Sequence, residues 1–369
     1  SNAKAWSRQW IDLATAKAPS SPDSRQSDAG VYGQLFADYN NGRATATVGL
    51  RYDHIGVEIL KTAMITNIDL RKESFDVVSP SYGLTFSPVI TNDYLLSLYH
   101  NLGKGFMPQS ASNLAIYSVS APSKDSVNLT VGNPDLDPEK NITVDGGVRF
   151  NAVKYGLNTG LGAYYTVVDN FVLNTSASVA QGMNAEYNGN VYPVRKISTY
   201  RNSPYETRIA GLEWNLEWNI LSLFNRNEKL SVSTGGQAII LSKTVNMSVY
   251  GKDTILDTME VNNVRNPNFS VGITYDDNKR ICARLSTRYI GEQKDTDWSA
   301  STYKYRGYNI QPYIIYPEFL ITDFSMRVQV TEHNAIGVQI SNITDENYYE
   351  KRGYNLPGRT FGLTYEANF

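Results

Sequence analysis

Two stretches gather the side chains best suited to hold a ligand. Residues 169–205 carry Tyr187, Tyr192, Arg195, Lys196 and Tyr200. Residues 292–318 carry Trp298, Tyr303, Lys304, Tyr305, Arg306, Tyr308, Tyr313 and Tyr316. Tyrosine and arginine combine large contact area with hydrogen-bond donors, which suits aromatic chelates or sugars. The plainer alternative is that tyrosine-rich strands simply extend above a membrane. Catalytic chemistry has less to stand on. His54, His100 and His333 are far apart, and no nucleophile–histidine–acid grouping follows from local spacing. The single cysteine, Cys282, allows no internal disulfide and no cysteine metal cluster. Asp135 and Asp137 could ligate calcium, but an Asp-x-Asp in a loop is commonplace. The expectation is a protein that is not an enzyme, with no cofactor and no metal site.

These candidates must be positioned by something, and composition limits what. The chain has 369 residues, of which 19% are charged, against the roughly 25% usual for soluble domains. It has no apolar run long enough for a transmembrane helix. Net charge is −2 with the signs mixed and no basic tract, so nothing points to nucleic acid. Tyrosine is the outlier, at 26 residues. Ser1, Asn2 and Ala3 read as a tag-cleavage scar, leaving 4–369 for fold reasoning.

The local period is two. In residues 43–53, Ala44, Ala46, Val48, Leu50 and Tyr52 share one face, and Arg43, Thr45, Thr47, Gly49, Arg51 and Asp53 the other. Residues 141–150 and 210–220 repeat the pattern, as do 269–275, 281–289, 320–330 and 361–369. No charged residue falls on the apolar phase of any of them. Side chains of a strand alternate between faces, so each is a strand with one apolar and one polar surface. Thirteen strands are expected near 31–39, 43–53, 80–88, 93–103, 141–151, 155–168, 206–220, 229–243, 268–275, 280–291, 319–330, 335–343 and 359–369, with a fourteenth possible near 6–16. Short links alternate with long ones at 54–79, 104–140, 169–205, 244–267, 292–318 and 344–358.

An antiparallel up-and-down meander then places all short turns at one end and all long loops at the other, as in an outer-membrane β-barrel. A soluble β-rich binding module also alternates its faces. Strand length and segregated loop length favour the barrel, as do aromatics at the strand ends. Tyr39, Phe150, Tyr155, Trp218 and Tyr275 flank short turns; Tyr52, Tyr82, Tyr289 and Phe361 lie toward long loops. The chain stops on an amphipathic strand in which Thr360, Gly362, Tyr365 and Ala367 precede the terminal Phe369. That spacing resembles the terminal strand read by the outer-membrane assembly machinery, with Gly362, Tyr365 and Phe369 as its signal residues.

Several ordered motifs carry a wider resemblance. They are NLGKGFMP (Asn101 to Pro108), GNPDLDPEKN (Gly132 to Asn141), RNSPYETRIAGLEWNLEW (Arg201 to Trp218) and ISNITDENYYEKRGYNLPGRTF (Ile340 to Phe361). In this order they resemble the barrel of TonB-dependent receptors, over essentially everything after residue 30. The resemblance implies an all-β transmembrane barrel in a Gram-negative outer membrane. It implies energised uptake, driven through TonB, of a scarce ligand such as an iron chelate, a vitamin, or a glycan or peptide. Haem-binding relatives use a histidine between their FxxP-like and NPxL-like stretches; none lies between Phe106 and Pro134.

The family barrel has 22 strands around a plug, whereas this sequence shows 13 or 14 strands and no plug. The expectation is a C-terminal barrel portion that does not transport alone. A passive 14-stranded channel or lipophile transporter is the alternative. The polar phase would face the lumen with Arg51, Asp53, Asp145, Arg149, Glu213, Glu217, Arg284, Arg288, Asp323, Arg327 and Glu366. The main expectation for these is cross-strand pairing and packing against a plug or water; a ligand path is the other.

Overall fold

The computed structural model describes residues 21–62, 70–123, 125–179, 182–187, 189–224, 226–246, 257–259, 264–296, 313–351 and 353–367. Thirteen antiparallel strands follow one another in sequence order across a single large sheet. They are β1 (Ser24–Tyr39), β2 (Ala44–Ile59), β3 (Lys72–Ile90), β4 (Tyr94–Met107), β5 (Glu139–Ala152), β6 (Leu157–Asp169) and β7 (Thr207–Asn219). The sheet continues through β8 (Lys229–Asn246), β9 (Asn268–Asp276), β10 (Ile281–Ile290), β11 (Phe319–Gln329), β12 (Asn334–Ser341) and β13 (Thr360–Ala367). A short strand, Asp257–Met259, adds to β8 outside this path. The possible strand near 6–16 lies outside the described residues.

Register sorts the two phases into two continuous surfaces. Leu98, Val148, Leu161 and Trp214 are successive cross-strand neighbours on β4 to β7. Val232, Ile273, Leu285, Phe324, Ile340 and Phe361 continue such a row from β8 to β13. A one-residue slip anywhere would break these rows and mix the two surfaces. Among them, Leu161 is 53% exposed and Phe361 74% exposed to solvent, an apolar surface far larger than a water-soluble monomer tolerates.

The expected loops turned out to be partly strand. β2 runs on to Ile59 and β3 begins at Lys72, so the link expected at 54–79 shrinks to 60–71. The reason is an inversion of phase. Up to Tyr52 the apolar residues of β2 point outward; beyond it Ile55, Val57 and Ile59 are buried on the opposite face. β3 switches at the same height, with Val77 buried beside the outward Val78, the partner of Tyr52. β11 does the same, with Phe319 and Ile321 buried on the inner phase. Alternation persists while the buried phase changes sides. From Ala44 to Tyr52, about 3.3 Å per residue and a tilt near 40° give a band of roughly 20–25 Å, the height of a barrel's lipid belt.

β1 and β13 are the edges of this sheet, and among the described residues each pairs with one neighbour. Both run from the long-loop end to the short-turn end. An antiparallel closure between them therefore takes an odd number of further strands.

Short turns are built by residues that accept left-handed backbone. Asn40 (φ 54°) and Asn41 (φ 52°) precede Gly42 (φ 83°) between β1 and β2. Between β9 and β10 Asn278 (φ 56°) takes that conformation, and the Asp277 carboxylate braces the turn by accepting from the backbone N–H of Ile281 (2.9 Å), Lys279 (2.8 Å) and Arg280 (2.7 Å). The Ile281 bond first, then those of Lys279 and Arg280, holds this carboxyl below its ordinary range. A depressed folded pKa contributes stability above the ordinary carboxylate value of about 3.9, lost only as pH falls through the lowered value. Asp277→Ala is expected to speed amide exchange at 279–281 several-fold at neutral pH and to remove that acid dependence, as read by hydrogen exchange.

Candidate functional site

The two longest described connections on the outer side do not stand as free loops. They build a five-stranded sheet from Tyr117–Ser123, Ser126–Val131, Val172–Ser178, Asn184–Tyr187 and Asn190–Asn202. Its central pairing joins the two connections in parallel, with Ile197 opposite Leu129 and Thr199 opposite Val131. Val127, Leu129, Ala185 and Val194 form its core.

A second cluster fastens this outer layer to the barrel. Leu114, from the one-turn helix Ala111–Ala115, and Leu136 meet Val57 and Ile59 on the inner face of β2. Ser110 caps the helix by accepting from Asn113 N–H at 3.1 Å. The returning chain crosses the helix at Gly132, where an added Cβ would lie 2.4 Å from the Ala115 nitrogen. The stretches resembling FxxP and NPxL thus converge here. Gln109 Nε2 donates to the Asp137 carbonyl at 2.8 Å. Asn202 clamps the same turn, accepting from Asp137 N–H (2.9 Å) and donating to the Asp137 (3.0 Å) and Asn170 (2.8 Å) carbonyls. Glu139 accepts from Val172 N–H at 2.8 Å, and its burial raises the carboxyl pKa. Charging a group whose folded pKa is raised costs the folded state, so Glu139→Gln is expected to leave the outer layer as stable or more so at neutral pH. Exchange of the Val172 amide reads this.

The candidate ligand residues divide. Tyr187 and Tyr192 pack against the core of the outer sheet, and Tyr200 against the cluster at Leu136, so part of each ring is used structurally. Arg195 is exposed. Trp298, Tyr303, Tyr305, Arg306 and Tyr308 lie outside the described residues, as does Phe369 of the assembly signal. Gly362 and Tyr365 sit on β13, where Tyr365 faces outward and its hydroxyl donates to Asn334 Oδ1 at 2.5 Å.

The lumen-phase charges share the inner surface of the wall. Arg51 grips Asp53 on its own strand with three bonds of 2.7–3.0 Å, above Gly30. Asp145 accepts from Asn101 at 2.8 Å. Arg149 lies over the Tyr99 ring at 4.3 Å, and the Tyr99 hydroxyl fills the space that Gly147 and Gly162 leave by having no side chains. Arg327 reaches across β12, where its partner is Gly337, to bond Glu366 on β13 at 2.9 and 3.1 Å. Arg288 lies 3.9 Å from Asp323, whose other oxygen accepts from Asn342 N–H at 2.8 Å. Glu213, Glu217 and Arg284 make no ion pair among the described residues. Tyr99, Arg149, Gly160, Glu213, Asn215 and Gln237 line a polar recess of about 520 Å³. Among the described residues no group of three or more His, Cys, Asp or Glu is placed to hold a metal.

Outside the wall, Tyr52 (2.6 Å) and His54 (2.8 Å) both reach the Asp76 carboxylate where the buried phase changes sides. The residues that pattern reading missed are Val57, Leu114, Leu136 and Arg265. The inverted alternation at Ile55, Val57 and Ile59 was the available signal for the first.

This fold matches solved receptors. The chain superposes on a structure described as "Copper transporter OprC" with a TM-score of 0.61 at 17% identity, covering 94% of this chain and 48% of that one. A hemophore receptor, HasR of Serratia marcescens, gives a TM-score of 0.63 at 16% identity, covering 95% and 52%. A ferric enterobactin receptor, PfeA of Pseudomonas aeruginosa, gives 0.60 at 14% identity, covering 94% and 54%. The chain therefore spans about half the length of these receptors. No curated protein matches the sequence. A family model described as "TonB dependent receptor-like, beta-barrel" matches residues 5–343, and the chain belongs to that family.

Proposed function

We propose that this chain is the ligand-recognising barrel portion of an energised outer-membrane importer. The observation that carries the reading is the outer sheet of residues 117–131 and 172–202, sealed by Leu114 and Leu136 onto the inner face of the wall. Loops fastened at a mouth are pre-ordered, and ordering before binding preserves affinity. Solved structures of this fold are described as a copper transporter, a ferric enterobactin receptor and a hemophore receptor with its hemophore and heme, so the ligand is a scarce small molecule or its carrier. Iron chelates, vitamins, glycans and peptides stay within this class. Candidate contacts are Tyr187, Tyr192, Arg195 and Tyr200, with Trp298, Tyr303, Tyr305, Arg306 and Tyr308.

The partners that follow are outer-membrane lipid, the TonB complex acting through a plug, and the barrel assembly machinery reading the C-terminal strand. The thirteen wall strands of the described residues fit an even-stranded family barrel that further strands complete. A passive channel has only the wall itself in its favour.

The test is uptake by the full-length, TonB-energised receptor of ferric catecholates, cobalamin and neutral oligosaccharides. Replacing 117–131 and 172–202 by short Gly-Ser links is expected to cut uptake of the imported compound at least tenfold, with heat-modifiable mobility of the barrel retained. Uptake at the parent rate would sink the reading. Liposome swelling by this chain alone would favour the channel.

A further inference from the structure

Arg265 precedes β9, and among the described residues it bonds carbonyls and no carboxylate. Its Nη1 donates to the carbonyls of Gly291 and Pro317, both at 3.0 Å. Its Nη2 donates to the carbonyls of Tyr349 and Glu350, both at 3.3 Å. The guanidinium carbon also lies 5.1 Å from the centre of the Phe319 ring. Gly291 and Pro317 are the two feet of the ribbon formed by Gln293–Thr296 and Tyr313–Tyr316. Tyr349 and Glu350 belong to the last outer connection, which pairs Tyr349 with Asn355. One planar fork thus joins three segments that are distant in sequence.

The base of the fork is itself fixed. Asn266 bonds Ile239 twice, accepting from its N–H and donating to its carbonyl, each at 2.7 Å. Ile239 stands at the register shift between β7 and β8. Gly291 presses on the same segment, where an added Cβ would lie 2.3 Å from the Asn266 carbonyl carbon. Aromatic contacts follow the same route: Phe319 to Tyr348 at 4.8 Å and Tyr316 to Tyr349 at 6.0 Å. Burial lowers the Arg265 pKa, and the neighbouring Glu350 opposes that.

We propose that Arg265 is the positioning residue of this side of the mouth, holding the ribbon of Gln293–Thr296 and Tyr313–Tyr316 and the paired strands at Tyr349–Lys351 and Tyr354–Asn355 as one unit. Its bearing on recognition rests on the reading of the outer mouth as the ligand site. The geometry explains why arginine is needed. Two carbonyls face each terminal nitrogen, and a lysine ammonium at one point reaches one set or the other.

The test is spin-label distance measurement on the chain in detergent, in a Cys282→Ser background with labels at Ile315→Cys and Tyr354→Cys. Ile315 is 50% exposed and Tyr354 70% exposed, so labels fit without repacking. The parent is expected to give one narrow distance distribution. Arg265→Ala is expected to broaden it at least twofold, and Arg265→Lys to give an intermediate width, with heat-modifiable mobility unchanged. A width unchanged in Arg265→Ala overturns the proposal. If that variant does not fold, the lysine variant decides alone, and a parent-like width overturns it. No ligand enters this measurement, so a receptor whose uptake ignores its outer segments would remove the recognition reading and leave the distance result standing.

Discussion

Leu285→Arg is expected to destabilise the folded barrel by about 2–4 kcal/mol in lipid, while the adjacent Ser286→Arg folds as well as the parent. The two residues are neighbours on β10 and differ only in the face they present. Leu285 stands between Ile273 and Phe324 in the apolar row, half-way along the strand. A guanidinium there meets hydrocarbon, and the row offers it no hydrogen-bond acceptor. Ser286 stands between Gly272 and Asp323 on the inner face. An arginine at 286 has an acid beside it at Asp323. Equilibrium denaturant titration in lipid vesicles separates the two, because a gap of about 2–4 kcal/mol is a factor of roughly 30 to 1,000 in the folding constant. Equal stabilities would mean that the apolar face does not meet lipid, and the transmembrane assignment would fall with it.

That contrast rests on a phase already legible in the sequence. β7 was expected at 206–220 and runs Thr207–Asn219; β8 was expected at 229–243 and runs Lys229–Asn246. Alternation is local and recurs on every strand of the wall, so one residue in two suffices to place it. What stayed hidden depends on contacts between distant segments. Ile55, Val57 and Ile59 continue the alternation with the opposite phase, and a reading that fixes one apolar phase stops the strand at Asp53. The parallel pairing of Leu129 with Ile197 has no local signature, since neither segment can bury its own face. Arg265 has none either, because its partners are carbonyls, which any residue supplies. Among the candidate site residues, Tyr187, Tyr192 and Tyr200 were legible as aromatic, but not as partly spent on packing.

The outer layer depends on one side chain in the same way that the wall depends on its phase. Leu136→Ala is expected to cost that layer about 2–5 kcal/mol, the range for a buried leucine that leaves a cavity. Leu136 is 3% exposed and packs with Val57, Ile59 and Leu114, which come from two other segments. The polar clamps around it, at Gln109 and Asn202, bond backbone and cannot close the gap. Hydrogen exchange should therefore accelerate through 117–131 and 172–202 together, because the parallel pairing couples them, while amides of β7 to β12 keep their protection. Leu114→Ala should cost less in the Leu136→Ala background than alone, since both empty one cavity. If exchange in 117–131 rises and that in 172–202 does not, the two connections are not one unit. If neither rises, the cluster is not what fastens them, and the mouth loses the pre-ordering on which its proposed affinity rests. A wall that keeps its protection while the mouth loosens would place recognition and membrane stability in separable parts of one sheet.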